Sequence, residues 1–126
     1  MIFNGLEPWR DNFPKVDFQT PSGLVDLHNN AILEKISFLV ADVTLVLGFR
    51  YSGDWRKIES SGRPVDLEFG DIANLRITQI DGYDTRSGST LEGVTRDIQS
   101  EESRFIVDVG DVKCEFNTQS VTLRMR

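Results

Sequence analysis

The chain has few of the residues on which common catalytic and metal sites are built. It contains one cysteine, Cys114, and one histidine, His28. A lone cysteine cannot form an intramolecular disulfide or a multi-thiolate metal site, and a lone histidine excludes multi-histidine metal sites. Glycine-rich phosphate loops, Walker, Rossmann and kinase motifs and the Gly-x-Ser-x-Gly elbow are also missing. These absences exclude most nucleotide-dependent enzymes, and we expect no cofactor.

Long apolar runs and basic clusters are missing as well. No run approaches a membrane span, and the N-terminus lacks the basic and apolar regions of a signal peptide. The 14 Lys and Arg residues are outnumbered by 20 Asp and Glu, which gives a formal net charge of -6. Because phosphate groups and anionic lipids attract clustered cations, we expect neither a nucleic-acid nor a membrane partner. We predict a cytoplasmic protein of bacterial or eukaryotic origin, with either a basic protein partner or simply good solubility.

What is present is typical of one globular domain. Apolar residues make up 39% and charged residues 27% of 126 residues, a balance that favours a folded chain over a disordered one. From Val43 to Tyr51 apolar residues occupy every second position, as in a strand with one wet face. Turn signals then recur about every 8–12 residues. We therefore predict an all-β, predominantly antiparallel fold, a sandwich or partly open barrel, with at most one short helix.

The remaining segments give less regular signals. Three prolines within residues 1–23 argue against a regular element, but the apolar residues there predict an ordered arm that covers a core edge. Residues 24–30 favour a short turn or helix. Residues 84–103 predict a mobile loop with one weak strand or short helix near 91–98. The other expected strands cover residues 31–40, a short stretch around 55–59, and residues 65–69, 72–80, 105–109, 112–116 and 121–125.

Aromatic and acidic residues supply the candidate binding site. Aromatic residues concentrate at interface hot spots, although packing in the core is the simpler interpretation of Trp9 and the others. Asp66 and Glu68 lie two residues apart on a predicted strand, so they point the same way. We expect both in water opposite an arginine such as Arg76; the alternative is acid–base chemistry by the pair. The candidate binding residues are Trp55, Tyr51, Asp66, Glu68, Arg76, Tyr83 and His28.

Four other chemical possibilities can be stated from the residues. Glu34 shares a face with Ile32 and Ile36 if their alternation is unbroken, and an inward Glu34 paired with Arg50 or Lys57 would create a pocket. His28 is either hydrogen-bonded locally or solvated, or a lone acid–base group at a pocket rim. The 81–84 loop groups two carboxylates but lacks calcium-loop spacing, so it is interpreted as a turn. Cys114 is interpreted as a core thiol.

One stretch resembles a pattern found in small bacterial all-β proteins. Leu27-His28-Asn29 precedes the 32–36 strand, and apolar alternations ending in phenylalanine follow at 43–49 and 65–69. This order, over residues 27–77, is similar to that of immunity proteins of polymorphic toxin systems and their uncharacterised relatives, although Asn29 stands where those proteins have Asp. The resemblance implies an inhibitor-type β domain and supplies no catalytic residue.

These observations leave three hypotheses. The first is a non-enzymatic interaction domain that binds a basic protein through acidic and aromatic surface. The second is a ligand-binding or hydrolytic β-barrel that uses an inward Glu34. The third is a subunit of a homo-oligomer paired through β edges.

Overall fold

Hydrogen-bonded strands make up most of the chain. The computed structural model describes residues 1–79, 90–101 and 103–125. Of these residues 61% lie in strands and 6% in helices, so the all-β prediction is confirmed. The strands, in chain order, are β1 (Ile2–Asn4), β2 (Asp17–Thr20), β3 (Gly23–Asp26), β4 (Ala31–Leu39), β5 (Thr44–Tyr51), β6 (Arg63–Gly70), β7 (Ala73–Gln79), β8 (Leu91–Asp97), β9 (Arg104–Val109), β10 (Val112–Asn117) and β11 (Ser120–Met125).

Two larger sheets pack face to face as a sandwich. The first has the strand order β1-β11-β6-β5-β4, and the second has β7-β10-β9-β8. Neighbouring strands are antiparallel, except that β1 runs parallel to β11. A separate hairpin joins β2 and β3. Of the two predicted architectures the sandwich is the one formed, and the described strands do not close into a barrel.

The core lies between the two larger sheets and follows the period-two pattern of the sequence. Every second residue of β5 and β6 points inward, and burying each such side chain stabilises the fold by about 1.5–3 kcal/mol. Their outward neighbours form the outer face of the first sheet, on which Val46 and Asp66 are themselves largely buried. The inward residues of these two central strands are Leu45, Leu47, Phe49, Val65, Leu67 and Phe69.

A chain of aromatic contacts ties the N-terminal segment to this core. The ring centroid of Phe105 lies 5.7 Å from that of Phe69 and 5.7 Å from that of Trp9. Trp9 continues the chain to Phe18 at 5.4 Å and donates a hydrogen bond from Nε1 to the Val94 carbonyl at 3.1 Å. Trp9 is 4% exposed. Trp9 is therefore a core residue, as the simpler interpretation of the aromatics had it.

One segment expected to be a strand is helical. Residues Trp55–Lys57 form a 3-10 turn and Ile58–Ser61 a short helix, α1. The physical reason is Asp54, whose Oδ1 accepts the Arg56 N–H at 3.1 Å and so caps the turn. The Gly62 N–H donates to the Ile58 carbonyl, where the helix ends. No helix among the described residues is long and apolar enough to cross a membrane.

Three other segments also differ from expectation. Residues 1–23 were expected to hold no regular element, but they contain β1 and β2, because these short stretches contain no proline and pair with β11 and β3. Residues 23–26 form β3 of the small hairpin rather than a turn or helix, because they pair with β2, and only residues 27–30 turn. The 91–97 segment is a full strand of the second sheet rather than a weak strand in a loop, because Leu91 and Val94 are completely buried. Residues 84–89 and 102 of the expected loop lie outside the described residues, whereas residues 90, 98–101 and 103 lie within them.

Candidate functional site

A groove runs along the outward face of the first sheet. It consists of three adjoining depressions of about 370, 340 and 150 Å³. The first two share Glu34 and Pro64, and the last two share Lys35 and Asp66, so the depressions are continuous. We call this surface the outer groove. Its charged lining residues are Glu34, Lys35, Arg50, Glu59, Asp66 and Glu68.

The centre of the outer groove exists because β5 has a glycine on its outward face. Gly48 lies in register with Lys35 on β4 and with Asp66 on β6, and Arg124 on β11 follows in the same row. A Cβ atom on Gly48 would lie 2.9 Å from both Cγ and Cε of Lys35. The stem of Lys35 therefore lies directly over the glycine, which is a close approach of the kind that glycine permits.

A β-bulge places Glu34 on the rim of the outer groove. Leu33 pairs with Phe49 and Lys35 pairs with Gly48, so Glu34 is the extra residue between them. It accepts a hydrogen bond from Arg50 Nη2 at 2.8 Å, and both side chains are more than two-fifths exposed. An ion pair this exposed contributes about 0–1 kcal/mol to stability.

This bulge corrects the expectation that Glu34 points inward. Ile32 lies beside Arg50 on the outward face, whereas Ile36 lies beside Leu47 on the inward face. The alternation is therefore broken between them, and Glu34 ends outside the core. Arg50 is its partner, as one reading of the sequence had it, but at an exposed site. A ligand pocket built on an inward Glu34 has no support in this arrangement.

Asp66 and Glu68 project from β6 into the outer groove, but their surroundings differ from the prediction. Asp66 is only 8% exposed. Glu68 accepts a hydrogen bond from Arg124 Nε at 2.7 Å. That hydrogen bond and the charge of Glu68, with a smaller contribution from Asp66, raise the pKa of Arg124. The expectation of two water-exposed acids is therefore wrong for Asp66.

Arg76 does not face these acids, and the sequence-based pairing is wrong. It lies on β7 in the second sheet, in register with Glu115 on β10. Glu115 is itself within 3.4 Å of Arg104 and 3.8 Å of Lys113. The reason is topological: after β6 the chain crosses to the other sheet, and β11 takes the place beside β6.

The predicted aromatic residues divide between surface and core. Trp55 is 65% exposed. It lies on the 3-10 turn that leads into α1, and Glu59 and Ser60 of α1 line one end of the outer groove. Tyr51 instead packs against the core. Tyr83 and the 81–84 loop lie outside the described residues.

His28 is engaged in a local turn away from the outer groove. Its Nδ1 lies 2.6 Å from the Leu91 carbonyl oxygen, while its backbone N–H donates to Asp26 Oδ1. Burial alone raises the pKa of Asp26, but hydrogen bonds from Asn29 and His28 outweigh it and hold that pKa below its usual value. The ring and the carboxylate thus stabilise the turn between β3 and β4. His28 is therefore hydrogen-bonded locally, which is one of the interpretations that the sequence allowed.

The described residues group no set of metal ligands, and the single thiol is buried. Cys114 is completely buried, and desolvation, reinforced by the charge of Asp108, raises its pKa to about 11. Its thiolate is therefore scarce at neutral pH. No three His, Cys, Asp or Glu side chains in the described ranges are grouped so that they could hold a metal ion. The contacts that the structure shows at the outer groove are ion pairs, Glu34 with Arg50 in the lining and Glu68 with Arg124 beside it.

Several residues in the outer groove, and Arg124 beside it, were missed by sequence reasoning. Lys35, Gly48, Arg124 and Glu59 come together only through strand register and the helical turn. One signal was available: Gly48 interrupts the polar side of a strongly apolar strand, and an interior strand glycine often marks a close approach.

Comparisons with protein-family models, with curated proteins and with solved structures found no match.

Proposed function

We propose that this protein is a non-enzymatic interaction domain whose outer groove binds a basic segment of a protein partner. The observation that carries the proposal is the charge of the groove lining. Four carboxylates, on Glu34, Glu59, Asp66 and Glu68, face two cations, on Lys35 and Arg50. Arg124, just outside this lining, pairs with Glu68. When it is counted with the lining, an excess of one negative charge is left, to which a basic segment is complementary.

The neighbourhood of the groove supports a protein partner. Trp55 is exposed on the segment that continues into the groove end, and tryptophan is enriched among residues that dominate binding energy. Glu59 forms no ion pair with any described residue, so its carboxylate is available to a partner. The net charge of -6 would speed encounter with a basic protein at low salt.

The resemblance to immunity proteins gives this proposal a finer form. In that form the partner is a basic bacterial protein whose activity is blocked when the outer groove covers it, and binding takes place in the cytoplasm. An inhibitor needs no chemistry of its own, which agrees with a groove made of paired charges. The matched substitutions below test the binding step without assuming which activity is blocked.

Neutralising the two central acids is expected to weaken binding by at least about tenfold, because each would lose a partner cation in a partly desolvated site. The variant is Asp66→Asn with Glu68→Gln. A matched control, Asp108→Asn with Glu115→Gln, removes the same charge from the second sheet. The tagged proteins would be used to capture partners from host lysate at moderate salt, and each partner identified by mass spectrometry would be purified for calorimetry.

The two variants decide the question together. A basic partner that is lost by the groove variant and at high salt, but kept by the control, supports the proposal. Equal binding by both variants would show that the partner does not use the outer groove. Equal weakening would show that only net charge matters.

The open edge of β4 favours a second candidate, self-association. Among the described strands β4 pairs only with β5; it ends in the exposed residues Phe38 and Leu39, and the exposed Val40 follows in the turn. Glu34 and Lys35 lie earlier on β4, but its last four residues, Ile36–Leu39, carry no charge, and an apolar strand edge can pair with another copy. If it does, sedimentation between about 10 and 100 µM shows a dimer that Leu39→Lys converts to a monomer. A wild-type monomer throughout would rule this candidate out.

A further inference from the structure

We infer that Lys35 is a movable cover over the centre of the outer groove, and that an arginine or lysine side chain of the partner takes its place. The inference rests on the proposed function, because it concerns how the same groove receives a basic segment. It adds a residue with a defined role and a chemical class for the group that binds at the centre.

The first argument is the position of the Lys35 stem. It crosses Gly48, with Cγ and Cε both 2.9 Å from where a Cβ atom would stand. Gly48 and Asp66 line the same depression as Lys35, so the stem occupies the space that a ligand would enter. An incoming side chain cannot lie on the Gly48 floor until this stem has moved.

The second argument is that nothing described holds the Lys35 ammonium in place. Arg50 is fixed by Glu34 at 2.8 Å, and Arg124 by Glu68 at 2.7 Å. Lys35, by contrast, makes no ion pair with any described carboxylate. It is an exposed residue on an edge strand. Its displacement therefore breaks no ion pair with the described residues, whereas displacement of either arginine would break one.

The third argument concerns the chemistry of the group that replaces it. Asp66 and Glu68 line the same depressions as Lys35. A guanidinium or ammonium group restores the positive charge that leaves with Lys35, whereas an acidic group would be repelled by these carboxylates. A long, flexible cation also matches the shape of the stem that it replaces.

The test is a titration of the full chain with octa-arginine, followed by two-dimensional NMR of the backbone amides. Lys35→Ala removes both the stem and the charge. Lys35→Met keeps a stem of similar length but removes the charge. Lys113→Ala, on the outward face of the second sheet, removes the same charge at a distance. Both substituted positions are exposed, so the fold is expected to persist in all three variants, and the dispersion of each spectrum verifies this.

We expect shifts at Val46, Gly48 and Asp66 in all proteins, with the tightest binding in Lys35→Ala. If the cover is closed for most of the time, its removal should tighten binding about three- to tenfold relative to Lys35→Met. Equal affinities for Lys35→Ala and Lys35→Met would show that only the charge of Lys35 affects binding, and would contradict the inference that its stem covers the groove. A Lys35→Ala affinity no higher than that of Lys113→Ala would overturn it too. Absence of shifts in the groove in every protein would instead count against the proposed function itself.

Discussion

Replacement of Trp9 by alanine is expected to lower the free energy of unfolding by about 3–5 kcal/mol, the range for a large aromatic residue removed from a core. Trp9 is 4% exposed and contacts the rings of Phe3, Phe18 and Phe105. Its removal leaves a cavity where the N-terminal segment meets the second sheet. Denaturation by urea, followed by circular dichroism, measures the change.

The second tryptophan provides the matched control for this experiment. Trp55 is 65% exposed on the 3-10 turn, so Trp55→Ala should change the free energy of unfolding by less than about 0.5 kcal/mol. The same substitution should weaken binding of a partner at the groove end. A loss below about 1 kcal/mol for Trp9→Ala would contradict the close packing of the N-terminal segment.

The contrast between the two tryptophans shows what the sequence could not reveal. Both lie near turn residues, and their local sequence gives no measure of burial. Trp9 is buried only because its segment crosses the molecule to reach Val94, 85 positions away in the chain. Burial of this kind depends on tertiary contacts, which local patterns do not encode.

The strands that could be predicted are those with one face in the core. β5 and β6 were expected from their period-two alternation, because a buried face requires apolar residues at every second position. The bulge at Glu34 could not be predicted in the same way. One inserted residue reverses the face of every later residue, and the apolar pattern of β4 tolerates either phase.

The candidate site was predictable to a smaller extent. Asp66 and Glu68 share a face because of strand geometry, which is a local property. Their partner is Arg124 rather than Arg76 because β11, and not β7, lies beside β6. Strand order is a property of the whole fold, so spacing along the chain could not identify the cation. Lys35 and Gly48 were missed for the same reason.

Substitution of Gly5 by alanine is expected to lower the free energy of unfolding by about 2–4 kcal/mol, for two separable reasons. Gly5 has a φ of +79°, which L-residues adopt at a cost of about 1–2 kcal/mol. Its Cβ would also lie 2.5 Å from the backbone carbonyl oxygen of Leu123. A backbone atom in a sheet cannot move aside as a flexible side chain can.

Two other glycines separate these contributions. Gly23 has a φ of +114° but no atom within 4 Å of its Cβ position, so Gly23→Ala should show only the conformational cost. Gly53 has open space and no positive φ, so Gly53→Ala should be neutral or stabilising by about 0.4–1 kcal/mol. Urea denaturation of the three variants measures the loss in free energy of unfolding for each and so ranks them. If Gly5→Ala were no more destabilising than Gly23→Ala, the chain after β1 would not lie tightly against β11. The parallel pairing that ends the first sheet would then contribute little to holding the N-terminal segment over the core.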